Sequence, residues 1–107
     1  MRSFKDVIKE TRRVAINNPL GRNENAEYAN ADGTPCCIFG HALSRLGFSP
    51  SELLTGMEDT ILHLDWDGMG FEQPNRYESM WSSAVQWSAD NGAAWIVAVA
   101  RADARLI

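Results

Sequence analysis

The apolar positions between residues 3 and 16 are spaced as in an amphipathic helix. When the segment is projected at about 100° per residue, one face is apolar and the opposite face is basic. The apolar face contains Phe4, Val7, Ile8, Thr11, Val14 and Ala15. Ser3 comes directly before this face and is a suitable N-cap, because its hydroxyl can accept a hydrogen bond from the first turn. The segment therefore predicts a helix with one buried face.

Two shorter helices are predicted further along the chain. The first spans 36–47, with Thr34 as N-cap. It ends at Gly47, since glycine readily adopts the left-handed conformation that closes a helix. Ser49 then begins a second helix, and Glu52 three residues later completes a capping box. These two helices are expected to meet at a tight corner.

The C-terminal third predicts two longer helices, over 74–90 and 93–106. In the first, residues recur at steps of three and four: Tyr77, Met80, Trp81, Ala84 and Ser88. Asp90-Asn91-Gly92 separates the two helices. The second is apolar all round in its first two turns, which predicts that it is buried.

Two segments have no clear helical pattern. Residues 17–35 are rich in Asn, Gly and Pro, which predicts a loop, and Asp32-Gly33 within it is a hairpin-type pair. Residues 57–72 are ambiguous, since their apolar positions fit a strand or a helix equally well. We therefore expect a mainly α fold: one compact domain, 1–107, of about five helices with at most one small β-hairpin near 26–34 or 60–67.

Composition agrees with a small globular domain. The chain has 107 residues, of which 45% are apolar and 22% charged. Its longest apolar run, 93–100, is far shorter than the roughly 20 residues of a membrane-spanning helix, and its N-terminus lacks the apolar core of a signal peptide. The two cysteines, Cys36 and Cys37, are neighbours and cannot form an unstrained disulfide. We expect a soluble, cytoplasmic protein.

Charge is distributed unevenly along the chain. Residues 1–22 contain six Arg or Lys and two acids, whereas 23–75 contain nine acids and one Arg. The net charge is −4 and the isoelectric point is about 5.0. This asymmetry favours a protein partner, or self-association through the opposite charges. It disfavours nucleic acid, because the acidic middle would repel phosphate.

Two groups of residues are candidate binding sites. The first is the basic face of the N-terminal helix, with Lys5, Lys9, Arg12 and Arg13. It is a candidate docking surface for an acidic partner, and nucleic-acid binding there is an alternative whose affinity would fall steeply with salt. The second is Trp66 between Asp65 and Asp67, which we expect to be an exposed anchor for a partner protein.

Cys37 and His41 raise the alternative of a thiol-dependent enzyme. They are four residues apart on the predicted helix, so their side chains can meet. A thiol at a helix N-terminus is acidified, and an imidazole could hold it as thiolate. However, the base in a thiol hydrolase usually lies on a separate element and is held in place by a third polar group. His63 is the only other histidine, nothing in the sequence marks a residue that would orient its ring, and no glycine-rich oxyanion site is present. Burial of both cysteines as small apolar side chains is the favoured interpretation.

A zinc site is disfavoured by the spacing of its ligands. The chain offers Cys36, Cys37, His41 and His63. Structural zinc normally uses cysteines two to four residues apart, because the side chains of adjacent residues diverge. We therefore expect no metal site and no cofactor.

A longer pattern of residues resembles a known group of proteins. It runs through Gly33, Pro35, Cys37, Gly40, Ala42, Leu43, Leu46 and Gly47, and continues at Gln86, Asp90, Gly92 and Trp95. This pattern is similar to that of small helical proteins of unknown function from actinobacteria and their phages. The chain departs from it at Ala89, where that group has a second glutamine. The resemblance implies an all-helical, cytoplasmic protein, points to Cys37 rather than Cys36, and brings no known activity.

Overall fold

Five α-helices form most of the structure in the part of the chain that the computed structural model describes, residues 1–25, 27–55 and 60–105. The sequence-based expectation of a mainly α fold is confirmed. A short 3₁₀ turn, Ile61–His63, lies between the third and fourth helices. The helices are α1 Phe4–Asn17, α2 Ile38–Arg45, α3 Pro50–Thr55, α4 Arg76–Asp90 and α5 Trp95–Arg105.

Oxygen atoms of side chains cap the N-termini of α1, α3 and α4. The Ser3 hydroxyl accepts a hydrogen bond from the Lys5 amide at the start of α1. Ser49 and Glu52 form the expected capping box before α3, since each side chain accepts from the backbone amide of the other residue. Asn75 and Glu78 form a second capping box at α4. These caps satisfy amides that have no acceptor within the helix.

The core lies where α1, α2, α4 and α5 meet. The predicted inner face of α1 is buried, with Ile8 at its edge. Trp81, near the start of α4, donates a hydrogen bond to Asp103, near the end of α5, so these two helices run antiparallel. The largest fully buried side chains are Trp66, Trp81, Phe4, Phe39, Phe71, Ile38 and Leu43. Among the described residues no helix has both the length and the apolar character needed to cross a membrane.

The structure differs from three sequence-based predictions of local structure. Residues 61–63 form a 3₁₀ turn instead of a strand, and 57–59 lie outside the described residues. The hairpin expected near 26–34 is reduced to an isolated antiparallel pair, Ala29 with Pro35, while residue 26 also lies outside the described part. The complete burial predicted for the start of α5 is wrong, because Ile96 and Val97 are more than a third exposed. The helix packs on α1 and α4 but leaves its outer side in solvent.

Candidate functional site

Cys37 is the N-cap of α2, and this explains its position. Its backbone is extended, and its Sγ accepts a hydrogen bond from the Gly40 amide at 3.2 Å. The predicted cap, Thr34, is wrong for a local reason. Its amide and hydroxyl both donate to the Asp32 carboxylate, at 3.0 and 2.6 Å, which holds Thr34 in the preceding turn. The N-cap therefore lies three residues later than predicted, and the helix begins at Ile38 instead of residue 36.

The Cys37 thiol is poorly suited to act as a nucleophile. The side chain is only 3% exposed, and burial raises its pKa to about 12, which outweighs the acidifying hydrogen bond from Gly40. The thiol is therefore protonated at neutral pH, whereas a reactive cysteine needs a thiolate. The His41 backbone amide donates to the Cys37 carbonyl at 3.0 Å, but within the described residues no hydrogen bond joins the Cys37 thiol to the His41 ring. The His41 ring instead packs against Trp95, with centroids 5.1 Å apart, and burial lowers the pKa of His41.

Cys36 is also held within the structure. Its Sγ lies 3.0 Å from the Glu27 carbonyl and 3.2 Å from Asn25 Oδ1, so the thiol is close to two acceptors. Burial, followed by the charges of Glu24 and Glu27, raises the pKa of this thiol. Within the described residues, no three or more His, Cys, Asp or Glu side chains are grouped so that they could hold a metal ion.

Gly40 marks a close contact between α2 and the loop before it. A Cβ on Gly40 would lie 1.9 Å from the Tyr28 carbonyl oxygen, so only glycine fits without a backbone shift. The close neighbour of Gly40 is therefore the loop that contains Tyr28. Asn23 ties the same loop to three helices: its Oδ1 accepts from the Ile38 amide and the Trp95 indole, and its Nδ2 donates to Asp90.

The second half of the long sequence pattern also consists of residues with structural roles. Gln86 accepts a hydrogen bond from the Ile61 amide at 2.8 Å and donates to the Tyr28 hydroxyl at 3.2 Å. Gly92, with φ +93°, turns the chain between α4 and α5. The Trp95 ring packs directly against Gly21, and a Cβ at that position would clash with the ring. These residues of the pattern therefore connect segments of the fold, and they do not form a reaction centre.

Trp66 does not form the exposed anchor that we expected. It is fully buried, and its indole donates to the Ile61 carbonyl at 3.0 Å. Phe4 contacts it edge-on, with ring centroids 4.8 Å apart. Asp65 and Asp67 on either side remain exposed. The expectation of exposure is wrong because the flanking acids belong to a tight turn that points the indole inward, beneath α1.

The basic face of α1 divides into two parts. Arg12 donates two hydrogen bonds of 2.8 Å to Asp103 and lies over the Trp81 ring, 5.0 Å from its centroid. Arg13 pairs with Glu10, which also accepts from Arg45. Lys5 and Lys9 are exposed, and among the described residues neither makes an ion pair. Two of the four predicted cations are therefore neutralised locally, and two face solvent.

An apolar groove between α1 and α5 adjoins this basic face. Its volume is about 170 Å³, and it is lined by Arg12, Ile16, Ile96, Val99, Ala100 and Asp103. Ile16 is 67% exposed. Lys5, Lys9, Arg12 and Ile16 follow one another at steps of three and four residues, so they lie in one line along α1. The cations and the apolar groove thus form one continuous surface, which we call the α1–α5 groove.

The outer face of α4 was missed in the sequence. Tyr77, Met80 and Trp87 are 56%, 49% and 65% exposed. Met80 and Trp87, with Ser83, Ala84 and Arg105, line a surface depression of about 620 Å³. The regular spacing of 77, 80, 84 and 87 was the available signal. This spacing was not recognised as a separate face because the neighbouring positions Trp81, Val85 and Ser88 have a similar spacing, and these are the residues buried in the core.

Comparison with protein-family models, with curated proteins and with solved structures gives no match for this chain. The resemblance to small actinobacterial and phage proteins therefore stays a prediction.

Proposed function

We propose that this protein is a non-enzymatic interaction module, regulatory or accessory, that acts in the cytoplasm. Its partner would be a protein that presents an acidic amphipathic helix, and the α1–α5 groove would be the docking site. One observation carries this proposal: exposed lysines lie in line with an exposed apolar groove. Nucleic acid would use the lysines but not the groove, whereas an acidic amphipathic helix uses both.

The apolar part of the groove favours a helical partner. Ile16 and Ile96 lie on facing sides of the groove and are both accessible. Side chains that repeat every three to four residues on a helix can occupy such a groove in succession. Burial of apolar surface would supply most of the affinity, at roughly 25 cal/mol per Å².

The charged part of the groove supports an acidic partner. Lys9 and Lys5 continue the line of Ile16 and Arg12 by one and two further turns of α1, respectively. Carboxylates on the partner would meet them at the rim, where charge contributes more to specificity and association rate than to affinity. Arg12 is held by Asp103, so it defines the wall of the groove and adds little net charge.

The alternative of a thiol-dependent enzyme has less support. It requires Cys37 as thiolate and His41 as its base, but Cys37 caps α2 and His41 packs on Trp95. Nucleic-acid binding has less support because Arg12 and Arg13 already pair with carboxylates.

Selection from a peptide library tests the proposal directly. Peptides of about four helical turns are displayed and selected against the intact protein. We expect enrichment of sequences in which acidic residues flank apolar positions at steps of three and four. Their affinity should fall at least about tenfold in Lys5→Glu/Lys9→Glu and in Ile16→Asp. Raising the ionic strength should weaken binding to the unmodified protein.

A matched control separates local from overall charge. Arg76→Glu/Arg105→Glu makes the same change in net charge on the α4 side of the molecule and should leave peptide affinity within about twofold. The proposal is rejected if no peptides are enriched, or if the enriched peptides are basic or uncharged. It is also rejected if their binding is unaffected by the groove substitutions.

A further inference from the structure

The outermost line of α4 has a regular pattern that the groove proposal does not use. Arg76, Met80, Ser83, Trp87 and Asp90 follow at steps of 4, 3, 4 and 3 residues. This is the spacing of the contact seam in a helical coiled coil. The opposite side of α4 faces the core, so the whole line is directed to solvent.

The two ends of this line carry charges that are unfavourable within one α4 helix. Arg76 is the first residue of α4, next to the positive end of the helix dipole, and Asp90 is the last, next to the negative end. Each charge therefore lies at the end of the helix that disfavours it. If a second α4 runs alongside in the opposite direction, each charge lies next to the opposite charge and the favourable dipole end of the other helix.

We propose that the line packs antiparallel against the same line of a second copy of this chain. With Ser83 at the two-fold axis, Arg76 meets Asp90 of the partner subunit and Met80 meets Trp87 of the partner subunit. The Arg76–Asp90 and Met80–Trp87 contacts then each occur twice, as two-fold symmetry requires.

The sizes of the side chains fit this arrangement. Ser83 at the centre is small and lets the two helices approach, while Met80 and Trp87 on either side provide the apolar contact area. A thioether against an indole is a favourable pair. The line extends from the first to the last of the fifteen residues of α4, a rise of about 21 Å at 1.5 Å per residue. Asn23 donates to Asp90 Oδ1, and a carboxylate can accept further hydrogen bonds at its other oxygen.

This inference is independent of the α1–α5 groove, which lies on the other flank of α5. It also differs from the self-association expected from the sequence, which would pair the basic N-terminal helix with the acidic middle of the chain. A dimer through α4 leaves both grooves accessible, so partner binding and self-association can be tested separately.

Sedimentation equilibrium of the intact protein tests the dimer. We expect a concentration-dependent species of twice 11.9 kDa. Acrylamide quenching gives a local readout, because Trp87 is exposed while the other three indoles are buried. Quenching should decrease as the protein concentration rises through the dissociation constant.

Charge exchange identifies the pairing. Arg76→Asp and Asp90→Arg each place like charges at both ends of the seam and should weaken dimerisation at least about tenfold. The double variant Arg76→Asp/Asp90→Arg should restore it. Arg76→Asp also places a favourable charge at its own helix end, so weaker association of this variant would not simply reflect a less stable helix. Asp90→Arg removes the hydrogen bond from Asn23, so circular dichroism is used to verify that this variant and the double variant are folded.

Arg101→Asp is the charge control, since Arg101 is an exposed residue of α5 outside the seam, and we expect dimerisation within about twofold of the unmodified protein. Trp87→Ala should weaken the dimer and leave the monomer folded. A monomer at several hundred micromolar would overturn the proposal. It would also be overturned by a dimer that tolerates both single exchanges, or by a double exchange that fails to restore association.

Discussion

The segment around Cys37 and the outer face of α4 differ in how far their side chains are used inside the fold. Cys36 and Cys37 are buried, and each has hydrogen-bond partners within the protein. Met80 and Trp87 are apolar side chains that remain about half exposed or more. The residues with the more reactive chemistry therefore support the structure, while residues with no reactive group form the accessible surface. The accessibility of a side chain, rather than its residue type, distinguishes a candidate binding residue from a residue with a structural role.

The largest expected effect concerns the reactivity of Cys37. Cys36→Ala leaves a single thiol, and its alkylation by iodoacetamide is followed against pH. Because burial raises the pKa of Cys37 to about 12 from 9.0, the thiolate fraction at pH 8 should be on the order of a thousandfold below that of an unperturbed thiol. Urea should restore the ordinary rate. If the alkylation rate of the folded protein instead has its pH midpoint near 8.5, the Cys37 thiol is accessible. The difference in accessibility between Cys37 and the outer face of α4 would then not exist.

The next effect compares two tryptophans directly. Trp66→Ala removes a fully buried indole that contacts Phe4 and Phe71, so we expect the free energy of unfolding to fall by about 3–5 kcal/mol. Trp87→Ala is the matched substitution on the surface and should change it by less than about 0.5 kcal/mol. Urea unfolding followed by circular dichroism, at concentrations where the chain is monomeric, measures both. Equal losses would mean that Trp87 also supports the fold.

Local signals in the sequence were sufficient to predict the helices and the caps of α1 and α3. Ser3, Ser49 and Glu52 act as caps where predicted, because a cap depends on residues within one turn of each other. The prediction of which face of α1 is buried was also correct, because only one face of this helix is mainly apolar. The helix count and the fold class follow from these short-range patterns.

The candidate sites depend on contacts between distant segments, and sequence patterns predicted them poorly. Trp66 and Trp87 are both flanked by polar residues, so their neighbours do not distinguish the buried indole from the exposed one. On α4 two apolar lines compete for the core, and the position of α5 decides which is buried. Arg12 is neutralised by Asp103, 91 residues away, and the spacing within α1 carries no information about that partner.

The smallest effect concerns Asp103, at the boundary between the core and the α1–α5 groove. Its hydrogen bonds to Arg12 lower its pKa, against the opposing effect of burial, and the Trp81 indole lowers it further. A lowered pKa in the folded state means that the carboxylate stabilises the protein above the unfolded pKa. This contribution is lost as the pH falls through the lower, folded value.

Asp103→Asn keeps an acceptor for Trp81 but removes the charge. We expect a loss of about 1 kcal/mol or less at pH 7, because the ion pair is partly solvated. The difference between the variant and the unmodified protein should shrink as the pH is lowered below about 4. Glu72→Gln removes the same charge from an exposed side chain and should change stability by less than about 0.5 kcal/mol at pH 7. If the Asp103→Asn difference is constant down to pH 2, the carboxylate does not depend on Arg12. The wall of the groove would then be less rigid than its geometry indicates, and the distinction between structural and accessible side chains would weaken at this position.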